Sequence, residues 1–343
     1  MIILSSGNLL EDSAEAYVNT VNTVGVMGKG IALQFKQAFP DVFKQYAKDS
    51  KLGQVKVGSM HVVSVEGLTN PKYVINFPTK KHWKDPSEMS YIDSGLQDLV
   101  KTVTELGIQT IAIPPLGCGN GGLDWNSVRI KIEQAFNDVP VEVHLYGPAG
   151  SPLPGKMKIG TTEPRMTKGR ALLLSLMDSY SGPGYRLSHL EIQKLAYLLQ
   201  EVGEPMKLRF QKNKYGPYAD NLNHVLQRIE GHFIRGYGDR SREAEIYLLE
   251  DAAERAIAFL QKDGESLKRL KRVNEIIQGF ETPYGMELLA TVHWVMKHYP
   301  EQSMDLSFVT EHVQNWSDRK KELFSAKHIE KVWHYLLSLN IAS

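Results

Sequence analysis

The chain has 343 residues, 42% hydrophobic and 23% charged, a composition of ordinary globular domains and a length suited to about two of them. Its 40 Lys and Arg against 39 Asp and Glu leave a formal charge of +1, which excludes gross electropositivity as a reason to bind nucleic acid; any such binding is local. A single cysteine, Cys118, excludes an internal disulfide and a Cys-rich zinc site, and no apolar run approaches the ~18 residues of a membrane-spanning helix. With Glu11 and Asp12 close behind a short apolar start and no basic leader, a cytoplasmic protein is expected, with no membrane partner.

From the N-terminus, short β-branched runs bounded by polar residues, Gly or Pro predict strands at 1–5, 16–21, 60–65, 73–77, 109–114 and 141–146. Helical spacing lies between them. Ile31, Phe35 and Ala38 share a face over 30–38. Ser90-x-x-Asp93 has the form of a capping box ahead of Leu96, Leu99, Val100 and Val103, and Asp124 opens a run with Val128, Ile132 and Phe136. Alternating strands and helices predict a layered α/β domain with a mostly parallel sheet over residues 1–147.

Residues 147–165 carry four Gly and four Pro and predict a linker, set at 148–166. Charge changes across it: residues 1–150 hold 13 Lys and Arg against 15 Asp and Glu, the remainder 27 against 24. Residues 167–343 read as a helix-rich second domain. Helices are expected at 168–180, 190–201 behind a Ser188-x-x-Glu191 box, 220–230, 242–260, 286–299 behind Thr282-Pro283, and 329–339. Stretches 207–211 and 232–237 suggest a small hairpin. Trp294, Trp316 and Trp333 lie on helical runs and read as core. The His residues show no metal-ligand spacing, since His293 and His298 are five apart with no acidic motif, so no metal site is expected.

Two glycine-rich loops follow strands and run into helices: Asn22-Thr-Val-Gly25-Val-Met-Gly28-Lys29-Gly30 and Pro114-Pro-Leu-Gly117-Cys118-Gly119-Asn120-Gly121-Gly122. Neither fits a dinucleotide fingerprint or a P-loop. Each alone reads as a tight strand-to-helix turn. As a pair opening helices in one small domain, they suggest two backbone cradles around a pyrophosphate.

In chain order, Gly7-Asn8-Leu9-Leu10, Ala16-Tyr-Val-Asn-Thr-Val-Asn22, Gly25…Gly28-Lys-Gly-Ile-Ala32 and Pro115-Leu-Gly-Cys-Gly119 resemble the macrodomain pattern over residues 1–146. Asn76-Phe-Pro-Thr-Lys80-Lys81 after the fourth strand resembles the branch of DNA ADP-ribosyl glycohydrolase antitoxins, and Lys214-Tyr-Gly-Pro-Tyr218 resembles antitoxin-associated domains. The resemblance implies hydrolytic removal of ADP-ribose from bases of single-stranded DNA, with ADP-ribose as product and no cofactor. It also implies a protein partner for the second domain, a DarT-like DNA ADP-ribosyltransferase toxin. By the same resemblance Asn8 and Leu9 sit at the adenine end, Asn22 reaches the distal ribose, and Gly28, Lys29, Gly30 and Ile31 with Gly117, Cys118, Gly119, Asn120 and Gly121 hold the pyrophosphate. Lys80 is the catalytic group.

Two departures from the family pattern stand out. Asn8 replaces the usual Asp, so it offers an amide oxygen to adenine without charge. The second loop lacks the acid that related lysine-using glycohydrolases carry there. Asp124 follows it but is more economically read as a helix cap. Lys81 and Lys84 are expected to depress the Lys80 pKa, and Trp83 among these cations reads either as part of a solvated basic loop or as a stacking platform for a DNA base. Cys118 reads as packing rather than as a nucleophile. A non-catalytic ADP-ribose reader, and a hydrolase for ADP-ribosylated proteins or ADP-ribose esters, are the alternatives. In the second domain, the acids Glu243, Glu245, Glu250, Asp251 and Glu254 on an expected 242–255 helix could imitate nucleic-acid phosphates toward a toxin, or form an ordinary solvated face.

Overall fold

A computed structural model describes residues 1–67, 69–148, 157–182, 184–237 and 245–341. The chain divides into two compact units, Met1–Thr162 and Glu163–Ser343. In the first, strands β1 (Ile2–Ser5), β2 (Ala16–Asn22), β3 (His61–Ser64), β4 (Tyr73–Lys80), β5 (Thr110–Ile113) and β6 (Glu142–Tyr146) form one sheet of order β1-β6-β5-β2-β4-β3. All neighbours are parallel except β3, which runs antiparallel to β4 at the edge.

Strand alternation sorts the core into two layers. Ala16 and Val18 of β2, with Ile75 and Phe77 of β4, face helices α3 (Met89–Glu105) and α4 (Trp125–Ala135) through Leu96, Leu99, Val128 and Ile132. Tyr17 and Val74 face the other way, toward Phe35 of α1 (Gly30–Ala38) and Val42 of α2 (Pro40–Lys51). At the amino ends of the three central strands, Glu15 acts as a staple. Its carboxylate accepts from Lys72 Nζ at 2.6 Å and from the Gln109 N–H at 2.7 Å, while its own N–H donates to Thr110 Oγ1 at 2.9 Å.

The second unit is mainly helical: α5 (Lys168–Tyr180), α6 (His189–Glu201), α7 (Leu222–Ile229), α8 (Ala252–Leu260), α9 (Gly264–Ile277), α10 (Pro283–His298), α11 (Leu306–Gln314), α12 (Asp318–Leu323) and α13 (Ala326–Ser338). Helices α6 and α10 are buried nearly all round, as befits the centre of a bundle. The Ser188–Glu191 box is formed, and Thr282 caps α10 with Pro283 in its first turn. Trp316 and Trp333 are buried and Trp294 half-buried, all packed with the core.

Several expectations need correction. No helix spans 242–260: residues 242–244 lie outside the described residues, Ile246 bridges Leu187, and Tyr247–Leu248 (β10) pairs with Ile234–Arg235 (β9). Asp251 sits at φ +64°, which turns the chain just before α8. Glu245, Glu250, Asp251 and Glu254 therefore share no helix, and the phosphate-imitating face is not built. The expected hairpin at 207–211 and 232–237 is replaced by Gln211–Asn213 (β7) paired with Gly216–Tyr218 (β8), and by β9 with β10. Helix α3 starts at Met89 with Glu88 at its cap and no side-chain capping bond, so the Ser90 box is not formed; Ser90 Oγ turns back to Glu88 instead. Of the expected linker, residues 149–156 lie outside the described residues. Beyond them Gly160 N–H donates to Gln37 O at 2.7 Å, because a glycine there lets the backbone lie against Ala38.

Candidate active site

Strand order brings three chain segments together. Loops leaving the carboxyl ends of β5, β2 and β4 emerge from three adjacent parallel strands, at the point where the connections reverse direction, and open α/β sheets bind ligands there. A register shift between Val21 and Asn22 sets Asn22 opposite Lys80 rather than Thr79. Such a bulge re-aims side chains at a strand end.

Cross-links then join the loops. Thr23 donates to Lys81 O through its N–H at 3.2 Å and its hydroxyl at 2.7 Å, tying the first glycine loop to the segment after β4. Ser87 N–H donates to Gly121 O at 2.9 Å, tying that segment to the second glycine loop. A Cβ on Gly30 would lie 3.4 Å from Asn120 Nδ2, so the two glycine loops face each other at van der Waals distance. Gly121 is sterically obligatory: a Cβ there would stand 2.1 Å from Gly117 O and 2.4 Å from Ser87 Oγ.

Both loops present free amides. Lys29 caps α1 without a side-chain bond, and the helix ladder begins where Leu33 N–H meets Lys29 O, so the N–H groups of Gly30, Ile31 and Ala32 are the orphans of a helix start. In the second loop, Cys118, Gly122 and Leu123 donate inside the loop, whereas no acceptor among the described residues takes the N–H of Gly119, Asn120 or Gly121. Two sets of amides facing across a narrow gap suit an anion such as a diphosphate.

The side chains fall into place around these amides. Lys80 ends β4 and donates from Nζ to Asn120 O, at the rim of the second loop. Burial holds its pKa below the ordinary lysine value, with Asp85 opposing. The expected repulsion from Lys81 and Lys84 is not the cause. Lys81 Nζ lies over the Tyr91 ring at 5.5 Å and Lys84 Nζ over the Trp83 ring at 5.0 Å. Trp83 is 41% exposed and stacks obliquely on His82.

Asn22 is buried and turned into its own loop. It donates to Val26 O at 2.6 Å, accepts from the N–H groups of Val24 and Val26, and lies beneath the Tyr46 hydroxyl. Asn8 caps the turn Leu9–Glu11 by accepting from Leu10 N–H at 3.1 Å, and its amide donates to Glu11. Leu9 is buried. Asp124 caps α4, accepting from Ser127 N–H and Oγ at 2.8 Å each, so its carboxylate is committed. Burial, reinforced by Asp124, pushes the Cys118 thiol up to about 11, far from a thiolate nucleophile, and Sγ contacts Leu116 O.

Comparison with known proteins decides the family. The Macro domain family model matches residues 18–132. A DNA ADP-ribosyl glycohydrolase of Thermus aquaticus is 46% identical over 338 residues, which is 98% of this chain and 93% of that protein. The chain belongs to the DNA ADP-ribosyl glycohydrolase family. Another DNA ADP-ribosyl glycohydrolase, of Mycobacterium tuberculosis, is 42% identical over 348 residues, covering 96% of this chain and 97% of that one. A DNA ADP-ribosyl transferase–DNA ADP-ribosyl glycohydrolase fusion protein of Thermosipho africanus is 32% identical over 166 residues, or 44% of this chain and 43% of the fusion. Like these glycohydrolases the chain is a hydrolase, and no helix among its described residues is long and apolar enough to cross a membrane.

Sequence reasoning missed Ser87 and Thr23. Ser87 sits under the second glycine loop with its hydroxyl buried and unpartnered, and Thr23 ties two loops together. Neither carries a local signal, because each matters only through a loop far away in the chain.

Proposed function

We propose that the chain is the antitoxin of a toxin–antitoxin pair, whose first unit hydrolyses the N-glycosidic bond between ADP-ribose and a base of single-stranded DNA. The observation that carries this reading is the placement of Lys80 at the rim of two facing amide cradles. Within the cradles of residues 28–31 and 117–121, the free amides of Gly30, Ile31, Gly119, Asn120 and Gly121 grip the diphosphate, and gripping it orients the sugar toward Lys80. Asn8 and Leu9 border the adenine. Asn22 acts at the distal ribose chiefly by fixing its loop.

A neutral Lys80 amine displaces the base at C1: the C1–N bond to the base breaks, its electron pair leaves with the base, and the amine proton follows it. Opening of the ribose ring gives an imine, which water hydrolyses to ADP-ribose and free lysine. Burial of Lys80 favours the neutral amine this step needs. A protonated Lys80 that assists departure of the base is the second role, and borohydride separates the two, because only the imine is reducible to a stable adduct.

Trp83 offers a ring to a neighbouring base of a single strand, with Lys81 and Lys84 near its phosphates. A DNA substrate assigns the reaction to the cytoplasm. The second unit binds a DarT-like DNA ADP-ribosyltransferase toxin; a relative that joins the transferase and the glycohydrolase in one chain supports that pairing.

The test offers the full chain ADP-ribosylated single-stranded DNA, ADP-ribosylated protein and free ADP-ribose in parallel. Release of ADP-ribose from DNA alone is expected. Tight binding without turnover would make the protein a reader, and release from protein alone would make it a different hydrolase.

A further inference from the structure

The second unit holds a cavity of about 260 Å³ that the hydrolase chemistry does not use. The amino-terminal halves of α6 and α10, the turn between β7 and β8, and α12 enclose it. Its apolar and aromatic lining is Leu190, Tyr215, Pro283, Met286 and Leu323, with the exposed Pro283 and Leu323 at its mouth. Its floor is charged.

Lys194 is the centre of that floor. Its side chain lines the cavity although the residue is only 1% exposed, and its ammonium donates to one acceptor, Pro217 O, at 2.8 Å. An ammonium has three N–H donors, and burying one with a single acceptor is costly. The carboxylate whose charge reaches it, Glu287, is already engaged by other cations. Glu287 accepts from Arg319 Nη1 and Nη2 at 2.7 and 3.0 Å and from Lys320 Nζ at 2.6 Å. Two cations thus offset Glu287 before Lys194 is counted.

The remaining groups facing the cavity are committed as well. Glu191 accepts from the hydroxyls of Tyr180, Tyr185 and Ser188 and from the Ser188 N–H. The Tyr284 hydroxyl is shared with His328 and Leu323 O, and Arg319 lies 4.7 Å over the Tyr215 ring. The turn is built to press on this cluster. Gly216 has φ +92°, and a Cβ there would meet Thr291 Oγ1 at 3.0 Å and Lys194 Cε at 3.4 Å. The Tyr-Gly-Pro run of the sequence is therefore the lid of the Lys194 chamber.

We propose that this cavity is a carboxylate-binding site for a protein partner, taking a peptide carboxylate flanked by apolar side chains, with Lys194 as its ion partner. The incoming carboxylate supplies the missing acceptors and the missing negative charge, and the apolar mouth receives its neighbours. The carboxylate can come from an acidic side chain or from a chain terminus. The site stands apart from the ADP-ribose reading and does not depend on it. Burial, with Lys320 nearby and Glu287 opposing, pulls Lys194 down to about 7. Binding an anion favours its protonated form, so the complex takes up a proton above that pH.

Calorimetry on the full chain tests this with three peptides: N-acetyl-Leu-Glu-Leu-amide, N-acetyl-Leu-Leu-Leu with a free carboxylate, and N-acetyl-Leu-Gln-Leu-amide. Saturable binding of at least one of the first two is expected, with none of the third, and whichever binds identifies the source. Affinity should fall about tenfold or more between about pH 6.5 and 8.5 by proton linkage. Lys194→Met should abolish binding without loss of the fold. Leu323→Glu, at a partly exposed position of the mouth, should abolish it by placing a competing charge there, and it serves if the methionine variant does not fold. Binding of all three peptides alike, binding of none, or wild-type affinity in both folded variants would overturn the proposal.

Discussion

Lys80 donates from its ammonium to the backbone carbonyl of Asn120, so this side chain and the second glycine loop hold one another in place. The side chain is aimed by backbone rather than by an acidic partner, and this fits a second loop that carries no acid. On the proposed reading the cradles, being amides, bind a diphosphate without the lysine.

Lys80→Ala is accordingly expected to abolish release of ADP-ribose from DNA while leaving ADP-ribose affinity within a few-fold, measured by turnover and calorimetry on the same preparation. A base with a depressed pKa predicts activity that rises with pH until the amine is neutral and then levels. Borohydride added during turnover should trap an adduct in wild type and not in Lys80→Arg. Lys81→Ala should lose far less, since its ammonium lies over Tyr91.

Gly121→Ala drives a methyl into Gly117 O and Ser87 Oγ and must move the loop, a clash worth roughly 1–3 kcal/mol. Lower urea stability and weaker ADP-ribose binding should appear together. Gly119→Ala, where nothing lies within 4 Å of the new Cβ, should leave stability unchanged. Equal behaviour of the two variants would refute the packing argument.

Asn22→Ala removes the bond to Val26 O and the acceptor of the Val24 and Val26 amides. A loss of about 1–2 kcal/mol is expected in both thermal stability and ADP-ribose binding. A residue that only touched ribose would lose binding and keep its melting temperature, so a melting curve separates the two roles.

His144 bonds Asp12 and Glu142 at 2.7 and 2.9 Å. Burial lowers its pKa, but these two carboxylates outweigh it and the net shift is upward. A folded pKa above the unfolded one adds stability that is complete below the unfolded value, ~6.5, and fades as pH rises through the folded value. Urea midpoints should therefore decline across that window in wild type and decline less in His144→Asn.

Much of the first unit was legible because its strands are short β-branched runs with sharp borders. The 16–21 run needed one more residue, and the 73–77 run needed three, because Pro78 read as a strand end. Pro78 instead stays in register with Val21. Helix α2 escaped notice since its buried face is sparse, Val42 and Tyr46 among polar residues. Helices α9 and α11 were equally hidden, although Asp263 and Asp305 cap them. The glycine loops and Lys80 could be named from the sequence. Their mutual ties could not, because Thr23, Ser87 and Asn120 come from three distant stretches and meet only through strand order. The Arg242–Leu260 run misled for the opposite reason, since tertiary pairing of Ile246 with Leu187 overrode its helical spacing.

Parallel strands give a sheet a direction, and here the direction separates two kinds of damage. Glu15 staples the amino ends of β2, β4 and β5, while the candidate active site lies at their carboxyl ends. Along β4, Tyr73 rests on the staple and Lys80 borders the cleft, so a single eight-residue strand carries an anchor at one end and the proposed catalytic lysine at the other. Lesions beside Glu15 should register as lost protein, and lesions beside Lys80 as lost turnover in protein that accumulates normally. A library scored for abundance and for activity at once would divide the strand near its middle.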